Sequence, residues 1–377
     1  MRATKKKVIP DKATRRIPWW LPQMTGKEEA AIAAVLQSNF LNEGQVTEQF
    51  EHAVAARLGV KHAIAATSGT SGLFLALAGL GIGPGDDVIV PDLTFIATAN
   101  AVRLTGANVV LADINPATLT LDPGAVERMF STRTKAIVPV HVSGRAAEMD
   151  ALLDIAQRRG VTIVEDAAEA FTSKHRGRTL GTMGAAGMLS FSPHKTITTG
   201  QGGMVVTNDD ALSKRVRMLK DHGRPVRGTG GDDVHESIGY NFRLTNLQAA
   251  VGLAQLSALD ERLARQKRNY ELYAERLKNL PGITLPGFDL QGGEIPLWTD
   301  ALVDRRDELD DYLAARGMGC RRLWRPLHTQ NAYRTPAHAL QNSVAASRHG
   351  LWLPSAFTLS DEDVAAVCES IREFLLS

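Results

Sequence analysis

Ala185-Ala186-Gly187-Met188-Leu189-Ser190-Phe191-Ser192-Pro193-His194-Lys195-Thr196-Ile197-Thr198-Thr199-Gly200-Gln201-Gly202-Gly203-Met204-Val205-Val206-Thr207 decides how the rest of the chain is read. Two apolar runs suited to buried strands flank a polar turn that carries one lysine. A lysine between buried strands either reaches solvent or stays poorly solvated. The second arrangement supplies the amine that Schiff-base chemistry requires. Gly200, Gly202 and Gly203 then mark backbone needing positive φ or a close approach by another chain segment. Taken alone, a lysine in a loop is more commonly a plain surface residue.

Working outward, short apolar runs alternate with helical patterns. His62 to Ala66, Val88 to Val90, Val109 to Asp113, Ala136 to Val140 and Val161 to Asp166 read as strands. Strands separated by helices imply parallel βαβ units and an α/β, doubly wound sheet. Ligands collect beyond the carboxyl ends of such strands. The Thr67-Ser68-Gly69-Thr70-Ser71-Gly72 turn, Phe95, Asp166 and Lys195 all fall just past strand ends. The Thr67 turn enters a helix, a geometry that suits an anion and equally a plain N-cap. Asp166 is compatible with a structural cap or with a ligand-facing acid.

At 377 residues the chain exceeds one ordinary core. The expected layout is an arm over 1–24, a large domain over 25–245, a long linking helix over 246–280 and a smaller α+β domain over 281–377. Thr25 with Glu28, and Thr245 with Gln248, read as capping boxes. Pro18-Trp19-Trp20-Leu21-Pro22 reads as an apolar entry packed on the domain surface.

Composition is that of a soluble globular protein, 44% hydrophobic and 22% charged. A net charge of +2 excludes bulk affinity for nucleic acid or membranes. Arg2, Lys5, Lys6, Lys7, Lys12, Arg15 and Arg16 form a basic arm with no apolar region behind it, so it is not a secretory signal. Two cysteines, Cys320 and Cys368, lack disulfide or metal spacing and read as reduced thiols of a cytoplasmic protein. No apolar run has the length of a membrane helix.

A lysine, an acid at a strand end, an aromatic and an anion-binding helix start around one crevice are the groups pyridoxal phosphate needs. A dinucleotide fold needs a G-x-G-x-x-G turn after its first strand, which is missing here.

With these residues in place, the chain resembles the DegT-type sugar-nucleotide aminotransferases, of the aspartate-aminotransferase-like (type I) pyridoxal phosphate fold, over roughly Thr25 to Phe374. The resemblance rests on Asn42-Glu43-Gly44, Thr67-Ser68-Gly69-Thr70, Asp92-Leu93-Thr94-Phe95, Glu165-Asp166-Ala167-Ala168-Glu169-Ala170, Ser190-Phe191 with Lys195, Gly239-Tyr240-Asn241-Phe242-Arg243 and Leu353-Pro354-Ser355. It implies a mostly parallel mixed sheet in the large domain and the following roles. Lys195 is the Schiff-base lysine and proton shuttle, Asp166 partners the pyridine nitrogen, and Phe95 stacks on the ring. Thr70, Ser71 and Ser190 bind the phosphate. Asn241 reaches the phosphate of a neighbouring subunit, so a homodimer is implied. Relatives that dehydrate sugars carry histidine at the lysine position; here His194 is merely adjacent, which favours amino transfer.

Two positions depart from the common pattern. Glu169 replaces a glutamine near the cofactor's phenolic oxygen, where it would share a proton or contact substrate. This glutamate resembles the GDP-perosamine synthase branch, which aminates GDP-4-keto-6-deoxymannose, with glutamate the donor implied. Ser143 stands where that branch carries tyrosine. His328 is a candidate substrate contact and equally a satisfied surface or core histidine. Trp298 and Trp352 read as core aromatics. A dehydratase or isomerase on the same scaffold, or a non-catalytic regulator, stays open at this point.

Overall fold

A computed structural model describes residues 16–226, 233–336 and 339–377. The basic positions 2 to 15 lie outside the described residues; Arg16 is exposed.

The strands of the large domain are β1 (His62–Ala66), β2 (Asp87–Pro91), β3 (Asn108–Ala112), β4 (Thr134–Ile137), β5 (Thr162–Asp166), β6 (Ala186–Ser190) and β7 (Gly203–Thr207). They form one sheet in the order β1-β7-β6-β5-β4-β2-β3. Neighbours from β6 to β3 run parallel, and β7 runs antiparallel to both β1 and β6. The expected mixed, mostly parallel sheet is therefore present.

Strand alternation explains why both faces are covered. Ala63, Ile89, Ile137, Ile163, Leu189 and Met204 point into one core, with Phe50, Val54, Met149, Leu152 and Ala249 from helices. Ile64, Val88, Ala136, Val164, Met188 and Val205 point into the other, with Leu73, Leu77, Leu212 and Val216. Adjacent residues on each strand thus serve opposite layers.

The smaller domain is an antiparallel sheet of β8 (Ile283–Thr284), β9 (Thr299–Val303), β10 (Arg321–Arg322) and β11 (Gly350–Leu353), in the order β8-β9-β11-β10. The helices over Leu259–Arg276 and Asp361–Leu376 pack on its own core.

The linking segment differs from the expected single helix. Two helices, Asn246–Leu256 and Leu259–Arg276, meet at Ser257 and Ala258. Ser257 Oγ donates back to the Ala254 carbonyl at 2.7 Å, a bond that competes with the helical ladder. Asp260 and Glu261 then supply the acidic first turn of a new helix. The Thr245–Gln248 capping box forms as expected. At the other end, the helix Glu28–Ser38 starts three residues beyond Thr25. Glu28 reaches back to the Thr25 N–H at 2.9 Å, while the Thr25 hydroxyl donates to Glu28 at 3.0 Å and accepts the Lys27 N–H at 3.2 Å.

A fourth apolar cluster joins the two domains and holds Trp20, Leu93, Val140, Trp298 and Trp352, with Trp19 and Trp324 against it. All five tryptophans of the chain meet here. Trp19 and Trp20 of the Pro18–Pro22 stretch are thus wedged into this junction, while Leu21 stays exposed. No helix among the described residues is long and apolar enough to cross a membrane.

Candidate active site

Beyond the carboxyl ends of β5 and β6 lies a cavity of about 410 Å³, lined by Thr70, Phe95, Asp166, Glu169, Ser190 and Lys195 among others. Residues separated by more than a hundred positions converge because each ends a strand or opens a helix at the same sheet edge.

Lys195 sits in a loop closed by two backbone bonds, Phe191 N–H to Gly202 O at 2.9 Å and Thr199 N–H to Phe191 O at 3.0 Å. Four side chains brace that loop from outside. Trp20 Nε1 donates to Pro193 O at 2.9 Å, Arg262 to Thr196 O at 3.1 Å, Gln266 to Thr196 Oγ1 at 3.4 Å and Gln248 to Gln201 O at 2.8 Å. Gly200 adopts φ +78, and a Cβ on Gly203 would meet Ser68 O at 2.3 Å. The first glycine turns the loop, and the second lets β7 pass the Thr67 turn.

Lys195 Nζ lies 3.3 Å from Glu169 Oε1 and 4.8 Å from the centre of the Trp298 ring. Glu169 Oε2 accepts the Ser143 N–H at 2.9 Å. Burial raises the Glu169 carboxyl, and the Lys195 charge opposes that rise. Asp166 is buried; Thr98 Oγ1 donates to its Oδ2 at 2.8 Å and the Ala168 N–H to its Oδ1 at 3.1 Å. Burial also raises Asp166, against those two bonds. His194, at the cavity wall, is held below its ordinary value by burial and by the Arg321 and Lys195 charges.

Phe95 leaves half its surface open at the cavity, the exposure a stacked planar ring would cover. At the opposite end, Ser68, Gly69, Thr70 and Ser190 line the wall where the helix Gly69–Gly79 begins. A Cβ on Gly69 would sit 3.0 Å from Met188 Sδ and 3.3 Å from Ser190 Oγ, so glycine keeps this end clear.

Two expected site residues lie outside the cavity lining. Ser71 does not line the cavity: its hydroxyl accepts the Ser68 N–H at 3.0 Å and donates to Ser68 O at 2.9 Å, and its own N–H caps onto Ser68 Oγ. It is consumed by the capping box. His328 is also elsewhere. It is buried, with Nδ1 2.6 Å from Asp92 Oδ2 and its N–H 2.8 Å from Asp92 Oδ1, so it fastens the end of β2 that leads to Phe95. Asn241 is exposed, bridged to Asp221 outside the cavity.

The sequence also left contributors unmarked. Thr98 stands one helical turn past Phe95, a spacing that could have flagged it. Arg321 and Trp324 enter from the smaller domain, and no local pattern points to them. Trp298, read as a core aromatic, is buried yet forms part of the wall.

The residues fit pyridoxal phosphate. A lysine amine and a buried acid share the cavity, an open aromatic face stands beside them, and hydroxyls with a helix start occupy the far end. The profile of the DegT/DnrJ/EryC1/StrS aminotransferase family matches residues 22–372. GDP-perosamine synthase of Caulobacter vibrioides is 38% identical, over 96% of this chain and 99% of that protein. GDP-perosamine synthase of Escherichia coli O157:H7 is 36% identical, over 95% and 98%. The structure of S. venezuelae DesV, solved in complex with a ketimine intermediate, superposes with a TM-score of 0.91 at 36% identity, covering 97% of this chain and all of that one. The chain belongs to the DegT/DnrJ/EryC1/StrS family and is a pyridoxal phosphate-dependent sugar-nucleotide aminotransferase.

Proposed function

We propose that the chain transfers the amino group of L-glutamate to the C4 ketone of GDP-4-keto-6-deoxymannose, acting in the cytoplasm as a homodimer. The relatives named for GDP-perosamine support the sugar, and the resemblance read from the sequence associates Glu169 with that branch. Both cysteines are free, as a reducing compartment would leave them. The exposed Asn241 is the residue offered to the neighbouring subunit's site.

When bound, the cofactor supplies an electron sink for a carbanion at the substrate carbon. Asp166 would hold the pyridine nitrogen, and a partner proton there relieves the cost of burying its carboxylate. Phe95 would cover the ring face. Thr70, Ser190 and the N–H groups at the helix start would hold the phosphate. Lys195 would take the proton from the donor's α-carbon and return it two bonds away, on the far side of the nitrogen being transferred. The loop bracing described above fixes its reach, and Glu169 and Trp298 orient its amine.

The observation carrying this reading is that the Lys195 amine and the Asp166 carboxylate line one cavity. Adding L-glutamate to the reconstituted protein should bleach the absorbance of the lysine-bound cofactor, and the GDP-linked ketosugar should restore it. A Lys195→Ala protein that still transfers the amino group overturns the assignment. Dehydration of the sugar without amino transfer would favour the dehydratase alternative.

A further inference from the structure

Asp166 is 5% exposed, a setting that favours the neutral form of a carboxyl. Among the described residues its two oxygens receive two hydrogen bonds. The Ala168 N–H donates to Oδ1 at 3.1 Å, and the Thr98 hydroxyl donates to Oδ2 at 2.8 Å. His141 meets Asp166 through the backbone, its N–H 3.1 Å from the Asp166 carbonyl. The His141 ring is engaged by Glu165 at 3.0 Å and by the Ala147 N–H at 3.1 Å. Thr98 is therefore the one side chain, among the described residues, that hydrogen-bonds the acid.

Thr98 is itself backed. Thr94 Oγ1 lies 3.1 Å from Thr98 Oγ1, and both threonines are buried in the cavity wall. The direction of this chain follows from counting protons. An ionised carboxylate only accepts, so the single Thr98 hydroxyl proton points at Asp166 and Thr94 supplies the proton of the other bond. Each hydroxyl polarises the next, which makes Thr98 a stronger donor than an isolated alcohol. A neutral carboxyl is the poorer acceptor, so the chain favours the ionised one. The Thr98 N–H also donates to the Phe95 carbonyl at 3.2 Å. One helical turn thus sets the open aromatic face and both hydroxyls together.

We infer that Thr98, backed by Thr94, is a positioning residue that keeps Asp166 ionised, so that the proton between acid and cofactor rests on the pyridine nitrogen. The inference rests on the role given to Asp166 in the aminotransferase reading, and adds what fixes that acid's charge. A pyridine ring that holds its proton is the stronger electron sink. A proton drawn back onto the carboxylate weakens it. Thr98 thereby acts on proton removal by Lys195 through the acid, not through the substrate.

The nitrogen NMR signal of isotope-labelled pyridoxal phosphate bound to the enzyme reports where that proton sits, without turnover. At neutral pH, Thr98→Val keeps the shape and loses the hydroxyl, and should move the signal toward that of the unprotonated ring. Thr98→Ser should leave it at the wild-type position. With L-glutamate, Thr98→Val should lower kcat by roughly ten- to a hundredfold, as loss of a hydrogen bond to a charged group does, with KM changing by less than about threefold. Thr94→Val should move the signal the same way by less, and gives the same reading if Thr98→Val does not retain the cofactor. In an Asp166→Asn background, adding Thr98→Val should shift the signal no further. An unmoved signal in Thr98→Val overturns the inference, as does an equal shift in Thr98→Ser or a further shift in the double variant. If Asp166→Asn alone leaves the signal unmoved, the role given to Asp166 fails first and takes this inference with it.

Discussion

Glu169 holds Lys195 with one oxygen, 3.3 Å from Nζ, and the Ser143 N–H with the other, at 2.9 Å. The carboxylate is therefore a strut between the lysine loop and the Ser143 turn, which itself bonds to Asp300 and Trp352 of the smaller domain. A negative charge beside a nitrogen favours its protonated form. Replacing it by Glu169→Gln should move the pH midpoint of the lysine-bound cofactor's absorbance downward and slow amino transfer by roughly tenfold. An unchanged midpoint with wild-type rate removes the electrostatic role.

Asp166 gives a prediction in the cofactor-free chain. A carboxyl whose folded value is raised binds its proton more tightly folded than unfolded. Stability then falls as pH rises from the ordinary value, 3.8 for Asp166 and 4.5 for Glu169, to the raised one. Asp166→Asn should flatten that fall in urea-unfolding free energies measured from pH 4 upward, while lowering turnover of the loaded enzyme by roughly 10²- to 10³-fold. Parallel stability curves for the two proteins would count against the burial argument.

Lys220 is enclosed between Glu43 Oε1 at 2.7 Å, Glu51 Oε1 at 3.4 Å and the Ala65 carbonyl at 2.7 Å. Burial alone would raise Glu51, but Lys220 and Arg217 hold it below its ordinary value. Lys220→Met leaves two carboxylates without their shared cation and should destabilise the chain by about 3–5 kcal/mol. Denaturant titration at neutral pH decides it. Adding Glu43→Gln and Glu51→Gln should recover part of the loss, since the uncompensated charge is its cause.

Ser143 stands where the resemblance leads one to expect a tyrosine, and its surroundings explain why a small residue fits. It has φ +54, is fully buried, and its hydroxyl donates to Asp300 Oδ1 at 2.8 Å while accepting Trp352 Nε1 at 3.2 Å. Ser143→Tyr must displace Trp352 or Asp300 and should cost about 1–3 kcal/mol or more from overpacking. Because the Ser143 N–H also positions Glu169, the same variant should disturb the cofactor spectrum. A stable protein with an unaltered spectrum would show that the pocket yields.

The large-domain residues were legible because their signal is local. Asp166, Phe95 and Thr70 each follow a strand or open a helix, and Lys195 lies between two apolar runs. Register then brings those ends together without further information. What pattern could not supply was any pairing across the domains. Trp20 meets Pro193, Arg145 meets Asp300 and Arg321 joins the lysine's cavity through separations of a hundred residues or more. Ser71 and His328 lie outside the cavity lining for a related reason: a hydroxyl or imidazole near a site can be engaged by a cap or a buried acid, and only coordinates show which. The break at Ser257 likewise depends on where one hydroxyl points.

The gathering of every indole at the domain junction has an optical consequence. Trp298 and Trp352 lie 4.7 Å apart by ring centres, and the former touches the lysine amine. Indole emission overlaps the absorption of a lysine-bound pyridine aldehyde, so excitation anywhere in this cluster drains to the cofactor by resonance transfer. The native fluorescence of the chain is thereby a built-in gauge of occupancy, bright when the cavity is vacant and dim when it is filled.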